Sequence, residues 1–215
     1  MIGGGYASGV TTETRSQRRA AANRRAVVDA AREIVATDGA DALTLEAVAE
    51  RADVAVQTIY NRVGGRSALL TAVAERAMEE SRVYMDAAYA SKGSAEERLI
   101  LAATAWARFA RERPHEFRIF VEPPDVPEAV ERIAELTRTQ NGKLAAAIRD
   151  SIDEGMSRSD LDCDELATVF WATINGLLAL SWRPGRLGAA PDELDRLLAT
   201  YLAITIDGLR SRSKR

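Results

Sequence analysis

The sequence predicts an all-α protein: an N-terminal three-helix unit with a helix-turn-helix, followed by a larger helical half. Three observations predict it. Apolar residues recur at three- and four-residue spacing along most of the chain, and no stretch alternates as a half-buried strand does. The segment Leu43 to Leu70, LTLEAVAERADVAVQTIYNRVGGRSALL, reads as two short helices about a tight turn with a third helix starting just behind. Gly- and Pro-containing breaks divide the remainder into lengths that fit about nine helices in all.

The elements follow in order. Residues 1–17 are rich in Gly, Ser and Thr and are expected to form a disordered leader. The first helix is expected from about Gln17 to Thr37, on a stripe of Val27, Val28, Ala31, Ile34 and Val35, with Gly39 as a left-handed C-cap. Thr44 is the N-cap of a helix that buries Leu45, Val48 and Ala49 and ends near Arg51. Ala52 to Ala55 form the turn, and the next helix runs from Val56 to Arg62. After Gly64-Gly65, Ser67 is the candidate N-cap of a long helix to about Ala90, lined by Leu70, Val73, Ala77, Tyr84, Met85 and Ala88. This helix joins the N-terminal unit to the rest, which makes it the natural lever of a switch.

Ser91 to Ser94 break that helix, and the next carries Leu99, Ala103, Trp106 and Ala110 on one face as far as Arg113. Pro114 opens a short helix, and the three prolines between Glu122 and Pro127 predict a loop. A long helix follows from about Glu128 to Glu154 on Val130, Ile133, Leu136, Leu144, Ile148 and Ile152. The acidic stretch Asp160 to Glu165 leads into Leu166 to Trp182, seventeen residues without a charge. That run is short for a membrane span and contains Thr, Asn, Gly and Ser, so it reads as a buried subunit-interface helix. A loop from Pro184 to Pro191 precedes the last helix, Asp192 to about Leu209, which shows Leu194, Leu197, Leu198, Tyr201, Ile204 and Thr205 on one side. The basic tail SRSKR is expected to fray.

On the Val56 to Arg62 helix, Ile59 and Val63 share the side that packs inward. Gln57 with Asn61, and Thr58 with Arg62, form i,i+4 pairs on other sides. Gln and Asn can pair bidentately with adenine and Arg with guanine, so Gln57, Thr58, Asn61 and Arg62 suit base edges. A second helix set in the major groove by the first is the helix-turn-helix arrangement. The plain alternative is a solvated helix surface. Five arginines between Arg15 and Arg25 face only Glu13, a basic segment that either follows phosphates or is a solvated leader.

From Arg25 to Leu70 the chain resembles the DNA-binding domain of TetR-type transcriptional regulators. The resemblance rests on RRAVVDAAREIVATDGADALTLEAVAERADV, then QTIYNRV, then RSALL, in order and at matching spacing. It implies that Tyr60 touches the DNA backbone, that Thr44 either does so as well or serves purely as a cap, and that Arg66 sits at a helix start beside phosphates. It also implies that the C-terminal half binds a ligand that moves two DNA-reading heads out of register. The chain departs from the family pattern in three places. Asp53-Val54-Ala55 replaces Gly-Val-Ser, Arg62-Val63 replaces His-Phe after the tyrosine, and Arg66 stands where Lys is usual.

Composition bounds the rest. The formal charge is −3, with residues 1–66 at net +1, so a general polyanion binder is excluded while a local basic head is not. Single Cys163 excludes an intrachain disulfide, and the N-terminus has no apolar signal segment. Lone His115 and Cys163 argue against a His-rich metal site or a Cys/His nucleophile pair, and no Gly-rich phosphate loop precedes a helix. No catalytic, metal or cofactor residues are therefore expected, and the protein is read as not an enzyme. Large side chains of the middle helices are each expected to be core, yet together they can line an apolar small-molecule pocket. Its candidates are Met85, Tyr89, Trp106, Phe109, Phe120, Trp171 and Asn175, with His115 as a further polar group. The last two helices are the expected homodimer interface, with Gly176 either allowing close backbone approach or marking a kink.

These readings assign residues 18–66 to DNA binding and 67–215 to ligand binding and dimerisation. They describe a cytoplasmic, homodimeric repressor that binds a near-palindromic double-stranded operator and is released by an unidentified small apolar ligand. The alternative is a helical dimerisation protein whose head no longer reads DNA.

Overall fold

The computed structural model describes residues 14–123 and 127–210. The expected leader over residues 1–13, the centre of the proline loop at 124–126 and the tail from 211 lie outside these residues. Among the described residues the chain forms nine α-helices: α1 Arg15–Asp38, α2 Leu45–Arg51, α3 Val56–Arg62, α4 Arg66–Tyr89, α5 Ala95–Glu112, α6 Pro114–Val121, α7 Pro127–Asp153, α8 Cys163–Ala179 and α9 Pro191–Leu209. Extended pairing among them is limited to one isolated bridge between Ser157 and Arg210.

The first helix begins earlier than expected. Thr14 and Gln17 close a capping box, in which the Thr14 hydroxyl accepts from the Gln17 N–H and the Gln17 side chain accepts from the Thr14 N–H. Residues 15–17 of the expected leader are thus helical, and the five arginines from Arg15 to Arg25 lie exposed along the first turns of α1. Gly39 ends α1 at φ 85° and ψ 172°, a positive φ as expected but with extended ψ rather than the left-handed helical value. Glycine reaches this region without steric cost. The start of α4 also differs: Gly64, at φ 118°, reverses the chain, and Gly65 rather than Ser67 is the N-cap.

One apolar core runs through the molecule. It extends from Val27 and Val35 of α1 through Val48 and Ile59, along Leu70 to Met85 of α4, and into Trp106, Phe117, Phe120, Ile174 and Leu198. A second cluster joins Leu99 to Ala145, Ile148, Ala167 and Leu209. The hub is α4, which packs on α1, α5, α6 and α7. Tyr84, expected in that packing, is 43% exposed and lies under the Arg108 guanidinium, 4.1 Å from the ring centroid. Val130 and Ile204, also expected on apolar faces, are exposed as well. α8 runs through Asn175-Gly176 as one helix, Cys163–Ala179.

The head is joined to the body by an ionic cluster. Arg32 of α1 pairs with Glu80 of α4 at 2.9 Å and lies 3.9 Å from Glu116 of α6; Arg113 approaches Glu80 and Glu116 at 3.5 and 3.6 Å. Glu116 is almost fully buried, so the two guanidiniums supply the countercharge that a desolvated carboxylate requires.

Candidate DNA-reading head and effector cavity

The turn between α2 and α3 sets the exposed helix. The Thr44 side chain accepts from the Ala47 N–H at 3.1 Å, as its N-cap position predicts. Asp53 takes φ 51°, the left-handed conformation that Asp tolerates better than most residues. Ala55 is the N-cap of α3 and offers no side-chain bond. Ile59 is fully buried and anchors α3 to the core. Gln57, Tyr60, Asn61 and Arg62 are exposed around it, and Thr58 is half-buried. Gln57 donates to Asn61 Oδ1 at 3.2 Å, which orients both amides along one edge of the helix. Arg66 opens α4, the helix start expected for it, and also bonds within the head. Its Nε donates to the Leu43 carbonyl at 2.9 Å and its Nη2 to the Ala40 carbonyl at 2.6 Å. These two bonds tie α4 to the segment before α2.

A second site lies in the body. Helices α4 to α9 surround a cavity of about 80 Å³, or about 770 Å³ of empty space counted out through its open mouth. Met78, Met85 and Tyr89 line it from α4, Leu99 and Trp106 from α5, and Phe120 from α6. Gln140, Asn141 and Leu144 come from α7, Phe170, Trp171 and Ile174 from α8, and Tyr201, Thr205 and Ile206 from α9. Aromatic rings packed edge to face support the wall, with Trp106 and Phe117 centroids 5.5 Å apart and Trp106 and Phe120 6.0 Å apart. The Tyr201 hydroxyl donates to the Phe170 carbonyl at 3.0 Å, and burial pushes its pKa up to about 12. Burial, reinforced by Asp86, raises Tyr89 further still.

Two family models match the chain. Residues 27–73 match the model of the tetR family of bacterial regulatory proteins, and residues 99–204 match a tetracyclin repressor-like C-terminal domain. The chain belongs to the TetR family. It is accordingly a DNA-binding transcriptional regulator with a helix-turn-helix head. Solved structures share the fold at low identity. A Rhodococcus sp. RHA1 protein of unknown function is 20% identical, with 95% of this chain and 100% of that chain covered and a TM-score of 0.73. The regulator FadR of Bacillus subtilis, in complex with stearoyl-CoA, is 19% identical, with 86% and 99% covered and a TM-score of 0.72. The ketosteroid regulator KstR2 of Mycobacterium tuberculosis is 19% identical, with 88% and 95% covered and a TM-score of 0.63. Among curated proteins, none matches.

In this TetR-family chain the structure gathers most, but not all, of the expected site residues. Met85, Tyr89, Trp106, Phe120 and Trp171 line the cavity. Phe109 does not; it is buried behind the wall against Trp106 and Phe117. Asn175 does not either. Its Oδ1 accepts the Trp106 indole N–H at 2.9 Å, so it fixes the ring of a lining residue from behind. His115 lies beside Gly39 at the head–body contact, away from the cavity. Sequence reasoning missed Gln140, Asn141 and Thr205. They are ordinary polar residues on amphipathic helices, and only the packing of neighbouring helices makes them lining groups. Among the described residues no helix is long and apolar enough to cross a membrane, and no cluster of His, Cys, Asp or Glu could hold a metal.

Proposed function

We propose that this regulator is a homodimeric repressor whose residues 18–66 read a near-palindromic operator and whose residues 67–215 bind a small, largely apolar effector and dimerise. The observation that carries the reading is the exposed edge of α3. Gln57, Asn61 and Arg62 stand in solvent on a helix held by the buried Ile59 and by the Thr44-capped α2. Gln, Asn and Arg suit base edges, while Tyr60, Thr44 and the exposed arginines of α1 suit phosphates. One two-turn helix offers few base contacts. Two heads reaching half-sites about 34–36 Å apart supply the rest.

The dimer is assigned to α8 and α9. Val169 and Ile204 stand 56% and 68% exposed there, and a Cβ added at Gly176 would meet nothing within 4 Å. That surface is open to a second chain. Effector binding among α4 to α9 reaches the head through α4, which packs on both α1 and the cavity-bearing helices. B. subtilis FadR is solved with stearoyl-CoA, which supports an effector with a large apolar part here too. A cytoplasmic location follows from this role.

The test is fluorescence anisotropy on the DNA upstream of the protein's own gene and, where that fails, on duplexes selected from random DNA, with a scrambled control at several salt concentrations. Specific binding over the control, falling steeply with salt, is expected. Equal, weak binding to all duplexes would favour the alternative of a dimerisation protein whose head no longer reads DNA. The Asp53 and Ala55 departures in the turn motivate that alternative. Arg62→Ala is expected to relax selectivity at one base position, and unchanged selectivity would remove Arg62 from the reading set.

A further inference from the structure

The cavity wall is uncharged throughout, with no Lys, Arg, His, Asp or Glu among its lining residues. Asp86, whose charge acts on Tyr89 of the wall, is bonded to Lys143 of α7. The wall is not featureless, however. Gln140 lines the cavity and its buried side-chain oxygen has no hydrogen-bond partner. Two neighbouring donors are already committed: the Tyr201 hydroxyl to the Phe170 carbonyl and the Trp106 indole N–H to Asn175 Oδ1, which lies behind the wall with its own Nδ2 unpaired. A buried acceptor without a donor is a cost that a ligand can remove.

We infer that the effector is an uncharged, mainly apolar molecule carrying a hydroxyl group, and that Gln140 determines specificity by pairing with that hydroxyl. The inference rests on the reading of this cavity as the effector site. Three physical points carry it. A carboxylate or ammonium entering this wall loses its hydration and meets no countercharge. A hydroxyl both donates and accepts, so it serves the Gln140 amide in either orientation. A site that presents a buried polar group to a substrate hydroxyl rejects the analogue that lacks it, because the amide is then left unpaired.

The experiment is isothermal titration calorimetry of the full chain on two molecular frames. The first is 2-naphthol, naphthalene and 2-naphthoate; the second is 1-octanol and octanoate; choline serves as a cationic alcohol. On at least one frame the neutral alcohol is expected to bind at least about tenfold tighter than its carboxylate, and 2-naphthol tighter than naphthalene, a tenfold step being one modest hydrogen bond. Gln140→Leu is expected to bring 2-naphthol to the level of naphthalene while naphthalene still binds, which shows the cavity intact. Gln140→Met, of similar length, is the second variant should the first fail to fold. Tighter binding of either carboxylate or of choline, no binding of either alcohol, or an alcohol preference unchanged in the variants would overturn the inference. DNA release is read separately by anisotropy. Alcohol binding without release would overturn the effector reading and leave the cavity's chemistry standing, whereas release by a carboxylate would do the reverse.

Discussion

The Arg66 guanidinium spans the carbonyls of Ala40 and Leu43, so its first effect is on the folding of the head. Removing it in Arg66→Ala leaves two carbonyls without their charged donor. Hydrogen bonds to charged groups contribute roughly 1.5–3 kcal/mol, less where solvent substitutes, so a loss on the order of 1–2 kcal/mol is expected. Denaturant melts check it, and an unchanged midpoint would return Arg66 to a phosphate-binding role alone. Arg66→Lys should lose part of this stability, since an ammonium lacks the planar fork. Tyr201 gives a second expectation at this scale. Its pKa rises from 10.0 in the unfolded chain to about 12, because burial disfavours the phenolate. The folded state therefore holds its proton longer. The stability it contributes is intact below pH 10 and is lost as pH rises toward about 12. Melts across that window should show a shallower decline for Tyr201→Phe than for the parent, and identical slopes would contradict the assignment.

At the scale of the element, the α2–α3 turn carries two local defects, a left-handed Asp53 and an Ala55 that cannot cap α3. Asp53→Gly relieves the first at some cost in chain entropy. Ala55→Ser supplies an oxygen for an N–H in the first turn of α3, a change worth about 1 kcal/mol. Ala55→Ser alone should raise the melting temperature, and the pair should raise it at least as far; a lowered midpoint would mean that the turn is held by something other than its own backbone. These features were legible in the sequence because caps and turns are decided by a handful of adjacent residues. Thr44, Ile59 and the span of α3 fell where the spacing put them for that reason. The α4 start differs because the extended Gly65 serves as N-cap with no side-chain bond, so the serine that a capping preference selects, Ser67, lies inside the helix. Tyr84, Val130 and Ile204 show a different limit. Periodicity tells which side chains share a face, but not whether another helix covers it.

Across the whole molecule, cavity membership depends on six helices meeting, and no local pattern encodes that. Phe109 and Asn175 share composition and spacing with true lining residues, yet one packs behind the wall and the other holds Trp106 in place. The same limit applies to subunit contact, where the sequence offered two apolar helices and the fold shows which of their residues remain uncovered. Val169 on α8 and Ile204 on α9 are exposed apolar side chains, whereas Leu178 and Leu198 of the same helices are buried. Charges placed at both positions, Val169→Glu with Ile204→Glu, should therefore leave the subunit's core untouched and oppose association across the face. Light scattering should give the mass of one chain at concentrations where the parent gives two, with an unchanged melt of helical signal at the lowest concentrations. Val83→Glu on α4, at a site 70% exposed, is the matched control and should leave the mass as in the parent. Operator affinity follows from the same argument. Two linked heads gain on the order of 10²–10⁴ over one by effective concentration, so the double variant should lose affinity on that scale while retaining each head. A double variant that stays dimeric would move the interface away from α8 and α9. One that becomes monomeric yet binds the operator as tightly as the parent would remove dimerisation from the mechanism of recognition.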